Sequence, residues 1–165
     1  MNRIINNINE CIRKAYEEEN ILIDYLPANE YFRRERNNAS KLSKEIDRFC
    51  KKYNYSNNFM NNEGFMIYCK SGNEIVAILN FLEQPKGENY FIHFVITRND
   101  FKGKGLFSKM FEYLKNIAKK HNIKTISSVV HKNNQGSNNA HIKLGFNELK
   151  INDKDKNGYI YYLNR

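Results

Sequence analysis

A chain of 165 residues has the length of one domain and enough of it to bury a real apolar core. Its 41% hydrophobic and 13% aromatic content excludes disorder by composition, and 8 Gly with 2 Pro exclude collagen-like or linker-dominated architectures. The formal charge of +9 points to an anionic partner (nucleic acid, a membrane surface or a polyphosphate ligand) without choosing among them.

Cys11, Cys50 and Cys69 stand far apart, with no CxxC pair. Neither a metal cage nor a redox dithiol is indicated, and a reducing compartment suits them. The amino end, MNRIINNINECIRK, has no apolar stretch of the signal-peptide kind. The longest apolar runs, such as residues 65–69 and 75–79, are five residues long. A bilayer needs about 20. A soluble, cytoplasmic protein with no membrane partner and no metal is expected.

In chain order, Ile5, Ile8, Ile12 and Ala15 recur at spacings of three and four, which predicts a helix over 3–19. Residues 21–26 form a short apolar run stopped by Pro27 and read as a strand. Ala39, Leu42, Ile46, Phe49 and Tyr53 predict one long second helix over 30–53, whose other faces carry Arg33, Arg34, Arg36, Lys41, Lys44 and Lys51. The texture then changes. Runs 65–69, 74–82 and 90–97 are rich in Ile, Val, Phe and Tyr, and turn residues around Gly72 and Gly87 separate them. They predict an antiparallel meander. A helix with Leu106, Met110, Leu114 and Ile117 on one stripe follows, then a strand over 126–131, a short helix over 137–144, and a hairpin of 146–151 with 159–163. The order implies a mixed sheet with helices packed on its faces.

The most informative segment runs from Val95, Ile96 and Thr97 through Lys102-Gly103-Lys104-Gly105-Leu106-Phe107 into that amphipathic helix. The first amides of a helix lack intrahelical acceptors and the macrodipole adds positive potential, so an anion binds there. Gly103 and Gly105 let the backbone approach a phosphate, and Lys102, Lys104 and Lys109 add charge. A tight turn decorated by lysine is the plain structural alternative.

This loop resembles the acetyl-CoA pyrophosphate loop of the GNAT superfamily of N-acetyltransferases, usually Gln/Arg-x-x-Gly-x-Gly/Ala. Gly105 keeps the central glycine, Lys102 replaces Gln/Arg, and Phe107 replaces the small residue. A second stretch, from His131 through Asn134, Ser137, Ala140 and His141 to Gly145-Phe146, resembles the superfamily's Asn-x-x-Ala/Ser…Leu-Gly-Phe segment. The two matches cover about 74–163. The resemblance implies an α/β fold of the α+β type, with a mixed, mostly antiparallel central sheet and helices on both faces. It implies one domain over 1–165, with 61–165 as the acetyl-CoA-binding core and 1–60 as a helical acceptor-side portion.

The reaction implied is direct acyl transfer from acetyl-CoA to a primary amine of a small molecule or peptide. Backbone amides of Val95, Ile96 and Thr97 would hold the pantetheine arm. Lys102 to Phe107, Asn134 and Ser137 would complete cofactor binding. Relatives place a Tyr acid four residues after the Ala/Ser position, and here that residue is His141, which can donate only as imidazolium. The position of a Glu base found in some relatives is Phe91. Strand alternation puts Phe91, His93, Val95 and Thr97 on one face, which makes His93 the nearest titratable substitute. His141 and His93 are therefore the candidate acid and base, beside purely structural readings of each.

Two other classes remain open: a non-catalytic acyl-CoA-binding or regulatory domain, and an acetyltransferase acting on an RNA-linked amine such as aminoacyl-tRNA. A nucleic-acid module using the basic helices is not favoured, because no helix-turn-helix or aromatic-interleaved basic ribbon is present. The assembly is expected to be a monomer or homodimer.

Overall fold

The computed structural model describes residues 21–35, 40–54 and 63–164. The helix expected over 3–19, Cys11 and residues 36–39 lie outside them. Seven strands form a single sheet in the order β1-β2-β3-β4-β5-β7-β6. In chain order these are β1 (Ile21–Pro27), helices α1 (Ala28–Glu35) and α2 (Ser40–Tyr53), strands β2 (Phe65–Ser71), β3 (Glu74–Glu83) and β4 (Asn89–Thr97), a 3-10 turn (Asn99–Phe101), helix α3 (Leu106–Lys120), strand β5 (Thr125–His131), helix α4 (Gln135–Lys143), and strands β6 (Asn147–Leu149) and β7 (Lys156–Tyr162). Of the helix expected over 30–53, the described residues fall in α1 up to Glu35 and in α2 from Ser40. Each buries its own stripe: Ala28, Tyr31 and Glu35 on α1, and Leu42, Ile46 and Cys50 on α2.

The meander holds, extended by β1, so that β1 to β4 pair antiparallel in sequence. Beta-branched and aromatic residues fill these strands because both sheet faces are covered. One face gathers Ile23, Ile67, Leu79, Ile92, Leu106, Met110 and Leu114 beneath α3. The other gathers Tyr31, Leu42, Ile46, Met66, Ile78, Phe94 and Ile96 beneath α1 and α2. Burying each such side chain stabilises the fold by about 1.5–3 kcal/mol.

Two irregularities shape the centre. In the β3–β4 ladder Asn80 pairs with Phe94 and Phe81 with Ile92, so His93 is an extra residue and the strand bulges there. The bulge switches faces: Ile92 belongs to the α3-side core and Phe94 to the opposite one. The uniform alternation expected from Phe91 to Thr97 is therefore broken at His93. The second irregularity is the parallel pairing of β4 with β5, which covers only Asn89–Ile92 against Thr125–Ser128. Beyond Ser128, β5 continues along β7 as far as His131 opposite Lys156. The two central strands part, and a wedge opens between them.

Asn138, on α4, ties the rim of that wedge together. Its amide Nδ2 donates to the carbonyls of His131 (3.0 Å) and Asn134 (2.8 Å), and its Oδ1 accepts from Tyr159 Oη (2.7 Å) and Asn157 Nδ2 (3.0 Å). Removing the side chain takes the acceptor from the buried Tyr159 hydroxyl, while the His131 and Asn134 carbonyls keep their backbone N–H partners. Asn138→Ala should cost about 1–3 kcal/mol in urea unfolding; an unchanged midpoint would show that water replaces the amide without penalty.

Candidate active site

The wedge is a cavity of about 400 Å³. Its β4 wall is Phe91 to Val95, its β5 wall is Ser128 to His131, and Asn134, Ser137 and His141 of the α4 region close one end. Phe49 of α2 also lines it. A more open groove of about 970 Å³ lies along Lys132 and the 148–158 hairpin. It is larger, but its lining holds no histidine or helix start, so the chemistry belongs to the wedge.

His141 is only 2% exposed. Its Nδ1 lies 2.7 Å from the Ser137 carbonyl oxygen, which can only accept, so Nδ1 carries the hydrogen. Its Nε2 is 3.0 Å from Ser128 Oγ. In the neutral ring Nε2 holds the lone pair and Ser128 donates to it. Burial lowers the pKa below the ordinary 6.5, and the bond to Ser137 only partly opposes this. Rings of Phe146 and Tyr159 at 4.9 Å and Phe107 at 5.3 Å surround it. His141 lines the wedge. Its environment, however, favours a neutral imidazole over the imidazolium donor anticipated from the sequence.

His93 occupies the bulge on the facing wall. Asn80 Nδ2 donates to the carbonyls of Glu63 (3.2 Å) and Phe65 (3.1 Å), which turns its Oδ1 toward His93 Nδ1 at 3.2 Å. That acceptor places the ring hydrogen on Nδ1 and the lone pair on Nε2. Desolvation lowers the His93 pKa as well, against the raising effect of Glu63.

At the far end of β4, Arg98 is 8% exposed. Its guanidinium grips Asp100 through Nε (2.6 Å) and a second nitrogen (2.8 Å), and Glu74 at 2.9 Å. It also lies over the Phe101 ring. This clamp holds the 3-10 turn that feeds the glycines. Gly103 (φ 78) and Gly105 (φ 72) are both left-handed, and Gly105 is the residue before α3. A Cβ on either would meet nothing within 4 Å. Backbone conformation therefore demands these glycines, at about 1–2 kcal/mol for another residue, and the space above them is open to a ligand. Lys109 N–H is bonded to the Gly105 carbonyl at 3.1 Å; the amides of Leu106, Phe107 and Ser108 precede the first turn's acceptors. Lys102 and Lys104 are exposed beside them, with Lys104 Nζ over the Phe101 ring.

The sequence-derived residues thus fall into two groups. His93, Val95, Asn134, Ser137 and His141 line the wedge. Lys102 to Phe107 form the glycine turn and first turn of α3, outside the cavity lining. Phe107 connects the groups through its contact with His141. Ile96 is buried in the α1/α2-side core, and Thr97 is half-buried. Asn134 caps α4, its Oδ1 accepting from Ser137 N–H at 3.2 Å. Sequence reasoning missed Ser128, Asn80 and Phe49. Ser128 had a signal: a hydroxyl at the middle of Thr125-Ile126-Ser127-Ser128-Val129-Val130 interrupts a strand otherwise suited to a core.

Two diverging central strands that leave a wedge, and a glycine turn feeding a helix from the first of them, define the class of acyl-CoA-dependent acyltransferases. The chain belongs to the acetyltransferase (GNAT) family, whose model matches residues 19–146. An acetyltransferase from Thermus thermophilus is 21% identical, with a TM-score of 0.52, over 59% of this chain and 62% of that one, so the chain spans less than two thirds of this relative. An IAA acetyltransferase from Bacillus cereus is 14% identical, with a TM-score of 0.61, over 86% and 99%. A streptothricin acetyltransferase from Bacillus anthracis, in complex with acetyl coenzyme A, is 16% identical, with a TM-score of 0.52, over 59% and 60%. No curated protein sequence matches the chain. The matched family is one of acetyltransferases. Among the described residues no helix is long and apolar enough to cross a membrane.

The lowered pKa of buried His141 sets a pH dependence. With the folded pKa of His141 below 6.5, the unfolded chain binds more protons between the two values. That stability is intact above 6.5 and falls as pH drops toward the folded pKa. His141→Gln should flatten this acid slope, measured as the urea midpoint at about pH 7.5 and about pH 5.5. His93 keeps its own share of the slope, because its pKa is lowered too. A slope identical to wild type would show that His141 is not held neutral.

Proposed function

We propose that the protein is an N-acetyltransferase that moves an acetyl group directly from acetyl-CoA to a primary amine of a small molecule or peptide. The observation that carries the reading is the wedge beside β4, continued by the open, left-handed glycine turn at the start of α3. The residues fit the donor. The amides of Leu106, Phe107 and Ser108, with Lys102 and Lys104, suit its pyrophosphate. The edge of β4 at Val95 to Thr97, beyond the last rung to β5, suits its pantetheine arm. Asn134 and Ser137 stand at the closed end.

The attacking amine must be neutral, and a lysine-like amine has a pKa near 10.4. His93, with its hydrogen held on Nδ1 by Asn80, offers Nε2 as the base. The amine nitrogen bonds to the carbonyl carbon and gives its proton to His93, the carbon–sulfur bond breaks with its pair leaving on sulfur, and the thiolate takes up a proton to give free CoA. In this reading residues 61–165 bind the donor and 1–60, which supply Phe49, shape the acceptor side. The protein works in the cytoplasm as a monomer or homodimer. The charge of +9 supports a second reading, an RNA-linked amine such as aminoacyl-tRNA. A log-log salt slope of about −0.7 per phosphate contact would identify it.

CoA should raise thermal stability, by about 2.7 kcal/mol at 100 times its Kd. Gly105→Glu should abolish that shift, because it sets a strained side chain and a negative charge at the phosphate position. Free CoA release over a panel of polyamines, amino acids, aminoglycosides, peptide amino termini and charged tRNA then names the acceptor. A melting curve unmoved by millimolar CoA would remove the reading.

A further inference from the structure

We propose that Ser128 is a second acceptor of the acetyl group, so that acetyl-CoA is hydrolysed through an acetyl-Ser128 ester when no amine occupies the wedge. This rests on the reading that the wedge takes the thioester end of acetyl-CoA.

Ser128 stands at the vertex of the wedge, opposite Ile92 on the last rung of the β4–β5 ladder. It is 4% exposed, yet it forms part of the cavity wall. Its place in the cavity wall puts it within reach of a ligand, and of water, that enters there. Its hydroxyl lies 3.0 Å from His141 Nε2, and His141 Nδ1 lies 2.7 Å from the Ser137 carbonyl. A nucleophile bonded to a base, which is oriented in turn by a third group, is the geometry that activates a serine. Here a backbone carbonyl on the first turn of α4 serves as the orienting group. It selects the Nδ1–H tautomer and leaves Nε2 able to take a proton. The aromatic rings packed on His141 hold the imidazole in place.

Ser128 Oγ attacks the thioester carbonyl carbon while its proton passes to His141 Nε2. The carbon–sulfur bond breaks, and the sulfur leaves with the bonding pair and takes that proton, giving free CoA and acetyl-Ser128. Water then attacks the ester carbonyl and gives a proton to Nε2. The carbon–oxygen bond to Ser128 breaks, Oγ recovers the proton, and acetate departs. The net change is acetyl-CoA and water to CoA, acetate and a proton, with no redox step.

The test uses the full chain and acetyl-CoA without amine, quenched in acid and read by intact and peptide mass, with CoA and acetate followed in parallel. Expected are one added acetyl group on Ser128 and amine-independent CoA release matched by acetate. Ser128→Ala should lose the label and lower that release by roughly 10²-fold or more. If the ester turns over too fast to accumulate, the release rate of Ser128→Ala decides alone. Release equal to wild type, or an acetyl group mapped only to other residues, overturns the serine step. Calorimetry of CoA on the wild-type chain separates the two failures. No binding sinks the donor-site reading, and binding with neither label nor Ser128-dependent release sinks only this inference.

Discussion

Everything about the site follows from the short parallel ladder between β4 and β5. It runs from Asn89–Thr125 to Ile92–Ser128 and stops. A parallel pair in mid-sheet would ordinarily continue, because each unpaired backbone group buried there costs free energy. β5 pairs with β7 along its full length on its other edge and β4 pairs with β3, and neither ladder uses the backbone groups that face the wedge. The edges facing each other across the wedge are therefore left to a ligand. An extended chain with its own amides, such as a pantetheine arm, is the partner chemistry that such an edge fits.

The bulge at His93 is the second consequence of the same region. Without it, His93 would alternate with Ile92 and Phe94 in a regular strand. With it, Phe94 and Ile96 turn into the α1/α2-side core and His93 stays on the cavity wall. The two histidines then face one wedge from opposite sides. Each has its Nδ1 hydrogen held by an oxygen, Asn80 Oδ1 for His93 and the Ser137 carbonyl for His141. Each has its pKa lowered by burial. With Nδ1 facing an oxygen in each ring, Nε2 is the atom that can take up a proton.

Much of this was legible in the sequence because it is written in local chemistry. The glycine turn shows as Gly103 and Gly105 between a strand and a helix, and the structure adds their positive φ; Asn134 and Ser137 stood out through the resemblance, and the structure shows the first capping the amide of the second. The meander shows in its turn residues. What was hidden depends on pairing between distant strands. The bulge arises from how β3 registers with β4, and no pattern within 89–97 announces it. The His141–Ser128 bond joins residues 13 apart on two elements, and the neutral state of His141 follows from burial that spacing cannot reveal. The periodicity read over 30–53 shows in the structure as stripes of α1 and α2 buried on the same core.

The central claim is that the wedge and the glycine turn together form one donor site. The most direct test is backbone amide NMR of the labelled chain titrated with CoA. The account predicts that the largest shifts fall on Val95, Ile96 and Thr97, on Gly103 to Ser108, and on Asn134 and Ser137. Shifts confined to the 148–158 hairpin groove, or to the turn with none along β4, would contradict it.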